Sequence, residues 1–139
     1  VTNVEKAEDL FRRAEWSYQD MRRALDAQFW AMALRRAQEV VELSLKGLLL
    51  LMGAHYPKSH DPAPAFLEVA KAKGLEIDPA LEREISALSK DLAEKRAPSF
   101  YGEMPVTEEE ARWAVEGAVK VWEAAKRWWK ECLKGRCQP

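Results

Sequence analysis

The stretch from Phe29 to Met52 constrains the fold more than any other part of the chain. It holds no proline and a single glycine, Gly47, and its second half is apolar on nearly every side: Val40, Val41, Leu43, Leu45, Leu48, Leu49, Leu50 and Leu51. A helix that is apolar all round must be covered all round. Five helices do not readily cover so much surface within one small bundle, so part of it is expected to meet a second copy of the chain. Gly53 then stops the helix as a C-terminal cap.

The flanking segments carry narrower stripes. Val4, Ala7, Phe11, Ala14, Tyr18, Met21 and Leu25 alternate three and four apart and predict a first helix. Its outer face mixes Arg12, Arg13, Arg22 and Arg23 with Glu5, Glu8, Glu15 and Asp20, the pattern of a solvated surface. Pro57 makes Ala54 to Asp61 a loop. Asp61-Pro62 and Asp78-Pro79 each read as an N-cap followed by proline at the first helical position. The first opens a short helix to about Lys73, closed by Gly74. The second opens a fourth helix with Leu81, Ile85, Leu88 and Leu92 inward, ending before Pro98. Ala97 to Val106 holds Pro98, Gly102 and Pro105 and reads as loop. Thr107 with Glu110 three residues later has the spacing of a capping box. The last helix follows, with Ala111, Ala114, Ala118, Val121, Ala125, Trp128 and Cys132 inward and Val115, Trp122 and Trp129 widening the stripe.

The fold class is therefore all-α, and 139 residues suffice for one domain spanning 1–139. A content of 47% hydrophobic and 32% charged residues fits a packed interior under a charged skin. With a net charge of -1, attraction for nucleic acid has to come from a local patch. Lys120, Lys126, Arg127, Lys130, Lys134 and Arg136 against Glu123 and Glu131 make such a patch at the C-terminal end. Trp128 and Trp129 lie within it, although tryptophans at core spacing are more often core. Cys132 and Cys137 are too few for a disulfide framework and read as two free thiols; with no histidine near them in sequence, no metal is expected, nor any cofactor. The longest apolar run, Leu48 to Met52, is far too short to cross a bilayer, and the polar opening residues do not resemble a signal peptide. A cytoplasmic location without membrane contact is expected.

Few residues offer chemistry. Glu42 and Lys46 interrupt the apolar helix one turn apart, with the acid N-terminal, as the better ion-pair orientation requires. They form either a buried structural pair or the lining of a polar cleft. His60 abuts the third helix beside Lys58, where the two can meet a phosphate; the alternative is that His60 pins the loop to the bundle. Lys95-Arg96 and Tyr101 flank the proline-broken loop, where arginine can hold a phosphate and tyrosine can stack on a base. Equally, they can serve the surface and the loop's packing. No glycine-rich phosphate loop, nucleophile elbow or paired-histidine helix motif occurs.

In combination these elements resemble the HEPN family, the higher-eukaryote and prokaryote nucleotide-binding domains. The residues that carry the resemblance are Ala37 to Leu49, with Glu42-x-x-x-Lys46-Gly47-Leu48-Leu49, then Gly53, Pro57-Lys58-Ser59-His60-Asp61, and Thr107-Glu-Glu-Glu-Ala111. The resemblance implies an up-and-down bundle of four long helices with one short extra helix, association as a homodimer, nucleotide or RNA as ligand, and a small nucleotidyltransferase as protein partner. In the family's ribonuclease branch an arginine is followed four to six residues later by histidine. Arg96 matches the arginine, but position 101 is tyrosine, and position 103, where the toxin branch has a modifiable tyrosine, is Glu103. The resemblance thus implies a non-catalytic binding protein using Glu42, Lys46, Lys58, His60, Arg96 and Tyr101 in a toxin-antitoxin-like module. The alternatives are a metal-independent ribonuclease working through His60 and Arg96, or a structural dimerising subunit.

Overall fold

A computed structural model describes residues 2–100, 102, 104–135 and 137. Among them, five helices follow one another: α1 (Asn3–Asp26), α2 (Trp30–Leu51), α3 (Ala63–Ala72), α4 (Pro79–Phe100) and α5 (Glu108–Leu133), with no strand. The all-α expectation of four long helices and one short one is met. Thr2 and Thr107 cap α1 and α5, accepting from the backbone N–H of Glu5 and Glu110 at 3.1 Å in both cases. Asp78 accepts from the N–H of Ala80 at 3.3 Å and starts α4.

α2 runs through the centre and touches each of the other four helices. Val40, Val41, Leu45, Leu48, Leu49 and Leu50 are all buried. Gly47 lets α1 approach closely: a Cβ there would stand 3.0 Å from Phe11 Cδ1 and 3.4 Å from the carbonyl of Ala7. Most of the apolar surface of α2 is therefore covered within one chain, with Leu43 and Leu51 left partly buried. Small residues on the neighbouring helices, Ala7, Ala14, Ala111, Ala114 and Ala118, bring those helices in close. The exposed large apolar side chains lie elsewhere, at Val4, Trp16, Phe29, Tyr56, Met104, Trp113 and Leu133.

Further expectations are corrected. α4 continues through Pro98 to Phe100, so residues 97–100 are helix and not loop. A proline close to the C-terminal end forfeits one backbone bond. The turn before it is held to α5 by Lys95, whose Nζ lies 3.0 Å from Asp91, 3.6 Å from Glu110 and 5.6 Å from the ring centroid of Trp113. Asp61 does not cap α3. Pro62 itself takes helical angles (φ -82, ψ -3), and its carbonyl accepts from Phe66 at 2.9 Å, which moves the cap one residue on. The Asp61 carboxylate instead accepts from the buried Ser89 hydroxyl at 2.6 Å, tying the α2–α3 loop to α4.

Cys132 and Cys137 are not free thiols but a disulfide, Cα to Cα 4.8 Å. Gly135, at φ +81, turns the chain back past the end of α5 and returns Cys137 to Cys132. So small a loop restrains the unfolded chain little. Reduction is expected to cost about 2 kcal/mol, read as a lower thermal midpoint with a phosphine reductant than without it.

Trp128 and Trp129 split. Trp128 is buried against Phe66, centroids 5.3 Å apart, and Trp129 is half-buried and stacked on Phe11 at 4.3 Å. Among the described residues no helix is long and apolar enough to cross a membrane.

Candidate functional site

The polar edge of α2 carries Arg35, the adjacent Gln38 and Glu39, Glu42 and Lys46, one turn after another and hence stacked along one side. Glu42 is its centre. Gln38 Nε2 donates to Glu42 Oε1 at 2.6 Å, and Lys46 Nζ donates to Oε2 at 2.8 Å. His60 Nδ1 reaches over from the α2–α3 loop, 3.1 Å from Oε1 and 3.2 Å from Oε2. The Lys46 and Glu42 side chains are only 8% and 13% exposed. Burial alone would raise the Glu42 pKa. The hydrogen bonds from Lys46, Gln38 and His60, with the charge of Lys46, outweigh that and hold the carboxyl below its ordinary value. The other side of Lys46 faces Tyr56, whose ring centroid is 5.1 Å from Nζ.

An ionised carboxylate can only accept, so the His60 nitrogen that faces it carries the proton. Nε2 is left as the acceptor on a side chain that is 48% exposed. Glu42 thus fixes both the tautomer and the orientation of an imidazole open to solvent, an arrangement able to take up a proton from a bound ligand.

Towards the N-terminal end of α2 the edge becomes cationic. Glu39 accepts from Arg36 Nη1 at 2.7 Å and from Ser17 Oγ at 3.2 Å, with Arg35 Nε at 3.7 Å. Burial lowers the Arg35 pKa, and the positive charge of Arg96, brought in by α4, lowers it further. Arg96 Nε is buried and has no hydrogen-bond partner among the described residues. Two guanidinium groups close enough to repel, one with an unsatisfied buried N–H, favour an anion between or beside them.

Of the residues expected from the sequence, Glu42, Lys46 and His60 come together in direct contact. Arg96 joins the same edge through Arg35, and among the described residues no hydrogen bond or ion pair connects it to His60. Lys58 is exposed in the loop that carries His60. Tyr101 lies outside the described residues. Arg35, Gln38 and Tyr56 were not expected; following the three-four spacing back from Glu42 would have found Arg35 and Gln38.

The HEPN domain model matches residues 7–128, nearly the whole chain. The chain belongs to the HEPN family. No curated protein matches it. As a HEPN domain, this chain has a general nucleotide- or RNA-related role, and the match takes in α2, α3 and α4 whole, together with the loop that brings His60 to the site.

Proposed function

We propose that this HEPN protein binds the phosphate of a nucleotide or of RNA along the polar edge of α2, as a homodimer, in a toxin-antitoxin-like module with a small nucleotidyltransferase. The observation that carries the ligand class is the electrostatic proximity of Arg35 and Arg96, with the buried Arg96 Nε left without a partner among the described residues. Arginine meets phosphate oxygens through paired N–H donors, and a half-dry setting strengthens each bond. Lys58 and the imidazole of His60 extend the edge, and Glu42 and Lys46 hold it in place.

Calorimetric titration with ATP, AMP and short RNA is expected to give binding well below millimolar with at least one of them. Removing Arg96 (Arg96→Ala) should weaken it roughly 10- to 100-fold, the equivalent of one or two charge-assisted hydrogen bonds. Absence of binding up to millimolar ligand would contradict the proposal. The partner reading is supported by the family and by Tyr101 standing where the ribonuclease branch has its histidine. Its expected outcome is co-purification with a small nucleotidyltransferase encoded beside this chain.

One observation favours a second reading, a metal-independent ribonuclease. The Glu42–His60 contact leaves Nε2 free to act as general base on an RNA 2′-hydroxyl, while Arg96 stabilises the charged phosphorus centre. RNA cleavage that persists in EDTA and disappears in His60→Ala supports this reading; intact RNA after long incubation removes it.

A further inference from the structure

The outward stripe of α5 and its C-cap carries Glu109, Glu116, Lys120, Glu123, Arg127 and, at the cap, Lys134, all exposed and three, four or seven residues apart, so that they form one row. Taken about a midpoint between Val121 and Trp122, the row is antisymmetric in charge. Glu109 mirrors Lys134, Glu116 mirrors Arg127, and Lys120 mirrors Glu123. Within the chain, Lys120 reaches Glu84 at 3.4 Å and Lys126 reaches Glu123 at 3.8 Å, both at the exposed surface. Among the described residues, Glu109, Glu116, Arg127 and Lys134 make no ion pair.

A row of this kind is complementary to itself when the helix is turned end for end, which is what a two-fold interface requires. The helix dipoles also oppose favourably in that orientation. Trp113 stands on the same stripe, 44% exposed, beside a groove of about 300 Å³ between α4 and α5 lined by Leu81, Ile85, Leu88 and Val121. Ile85, Leu88 and Val121 are themselves buried, so the apolar contribution of this face is chiefly the Trp113 ring.

We propose that two copies of this chain associate through antiparallel packing of α5 on α5, with Glu109 facing Lys134 and Glu116 facing Arg127 of the second copy, each contact made twice. The inference rests on the dimeric reading above and names its surface. It has a consequence for the ligand site. Lys95 lies over Trp113, next to Arg96, so the basic C-terminal end of the second copy's α5 arrives at the Arg96 end of α4. The second copy then adds positive charge beside the proposed phosphate position.

The test is sedimentation velocity on the full chain at low micromolar concentration, in low and in high salt. The expected result is a dimer that weakens as salt rises. Glu116→Arg and Arg127→Glu should each weaken it at least roughly tenfold by placing like charges in contact. The double exchange, Glu116→Arg with Arg127→Glu, should restore it, and circular dichroism should be unchanged throughout because both side chains are exposed. A dimer indifferent to the single exchanges overturns this surface while leaving the dimeric reading standing. Singles that dissociate with no recovery in the double overturn the pairing. A single-chain mass at every concentration removes both the surface and the dimer.

Discussion

Phe66→Ala is expected to lower the unfolding free energy by about 3–5 kcal/mol, the usual range for removing a fully buried aromatic ring. In a chain of this size that corresponds to a fall of roughly 10–20 °C in the thermal midpoint. Phe66 has no exposed surface and packs on Trp128. α3, at 10 residues, is too short to persist without tertiary contacts. Its remaining buried positions, Ala63 and Ala70, are small, so the phenyl ring supplies most of what anchors it. Because α3 ends the loop that presents His60, the substitution should also disturb the imidazole. A change in the His60 proton resonances alongside the drop in midpoint is the expected pair of results. A midpoint lowered by only a few degrees would show that α3 is held by something else.

The second large effect concerns charge. Glu42→Ala leaves the Lys46 ammonium, 8% exposed, without its carboxylate, and is expected to cost about 3–5 kcal/mol in chemical denaturation. Adding Lys46→Met should recover most of that loss, because an apolar side chain of similar length needs no counter-ion. The pH dependence has a definite sign. The Glu42 pKa is lower in the folded chain than in the unfolded one, so its contribution is present in full above the ordinary carboxylate range. It is lost as pH falls through the folded-state value. The stability gap between the native chain and the Glu42→Ala, Lys46→Met double variant should accordingly shift against the native chain on acidification. A gap that stayed constant with pH would mean that the carboxylate is not held below its ordinary value.

The helices were legible because their signals are local. Thr2 aside, the capping residues Asp78 and Thr107 and the stripes of α1, α4 and α5 follow from spacing and backbone chemistry alone. Where the reading went astray, a tertiary contact decided the matter. The leucines of α2 do need covering, as their pattern says, but the pattern cannot show that alanines on α1 and α5 let those helices close over them. Asp61 has the composition of a cap, yet its carboxylate goes to Ser89, 28 positions away. Cys132 and Cys137 meet because of the turn at Gly135, which their spacing does not disclose.

The site was legible in part for the same reason. Glu42 and Lys46 declare themselves as charges on an apolar helix, and the meeting of Glu42 with His60 is what folding adds. Arg35 has the spacing but resembles any surface arginine until α4 brings the charge of Arg96 within electrostatic reach of it. Tyr56, over Lys46, gives no sequence signal, because its position depends on the path of the loop after Gly53.

Since the helix that bears Arg35, Glu42 and Lys46 is also the one in contact with all four of its neighbours, occupancy along its polar edge cannot remain a local event. Whatever docks there raises the melting temperature of the entire bundle by mass action. A dye-based thermal screen of metabolite libraries would accordingly report the cognate compound through the protein's own cooperativity, with no prior guess at its structure and no assay for turnover.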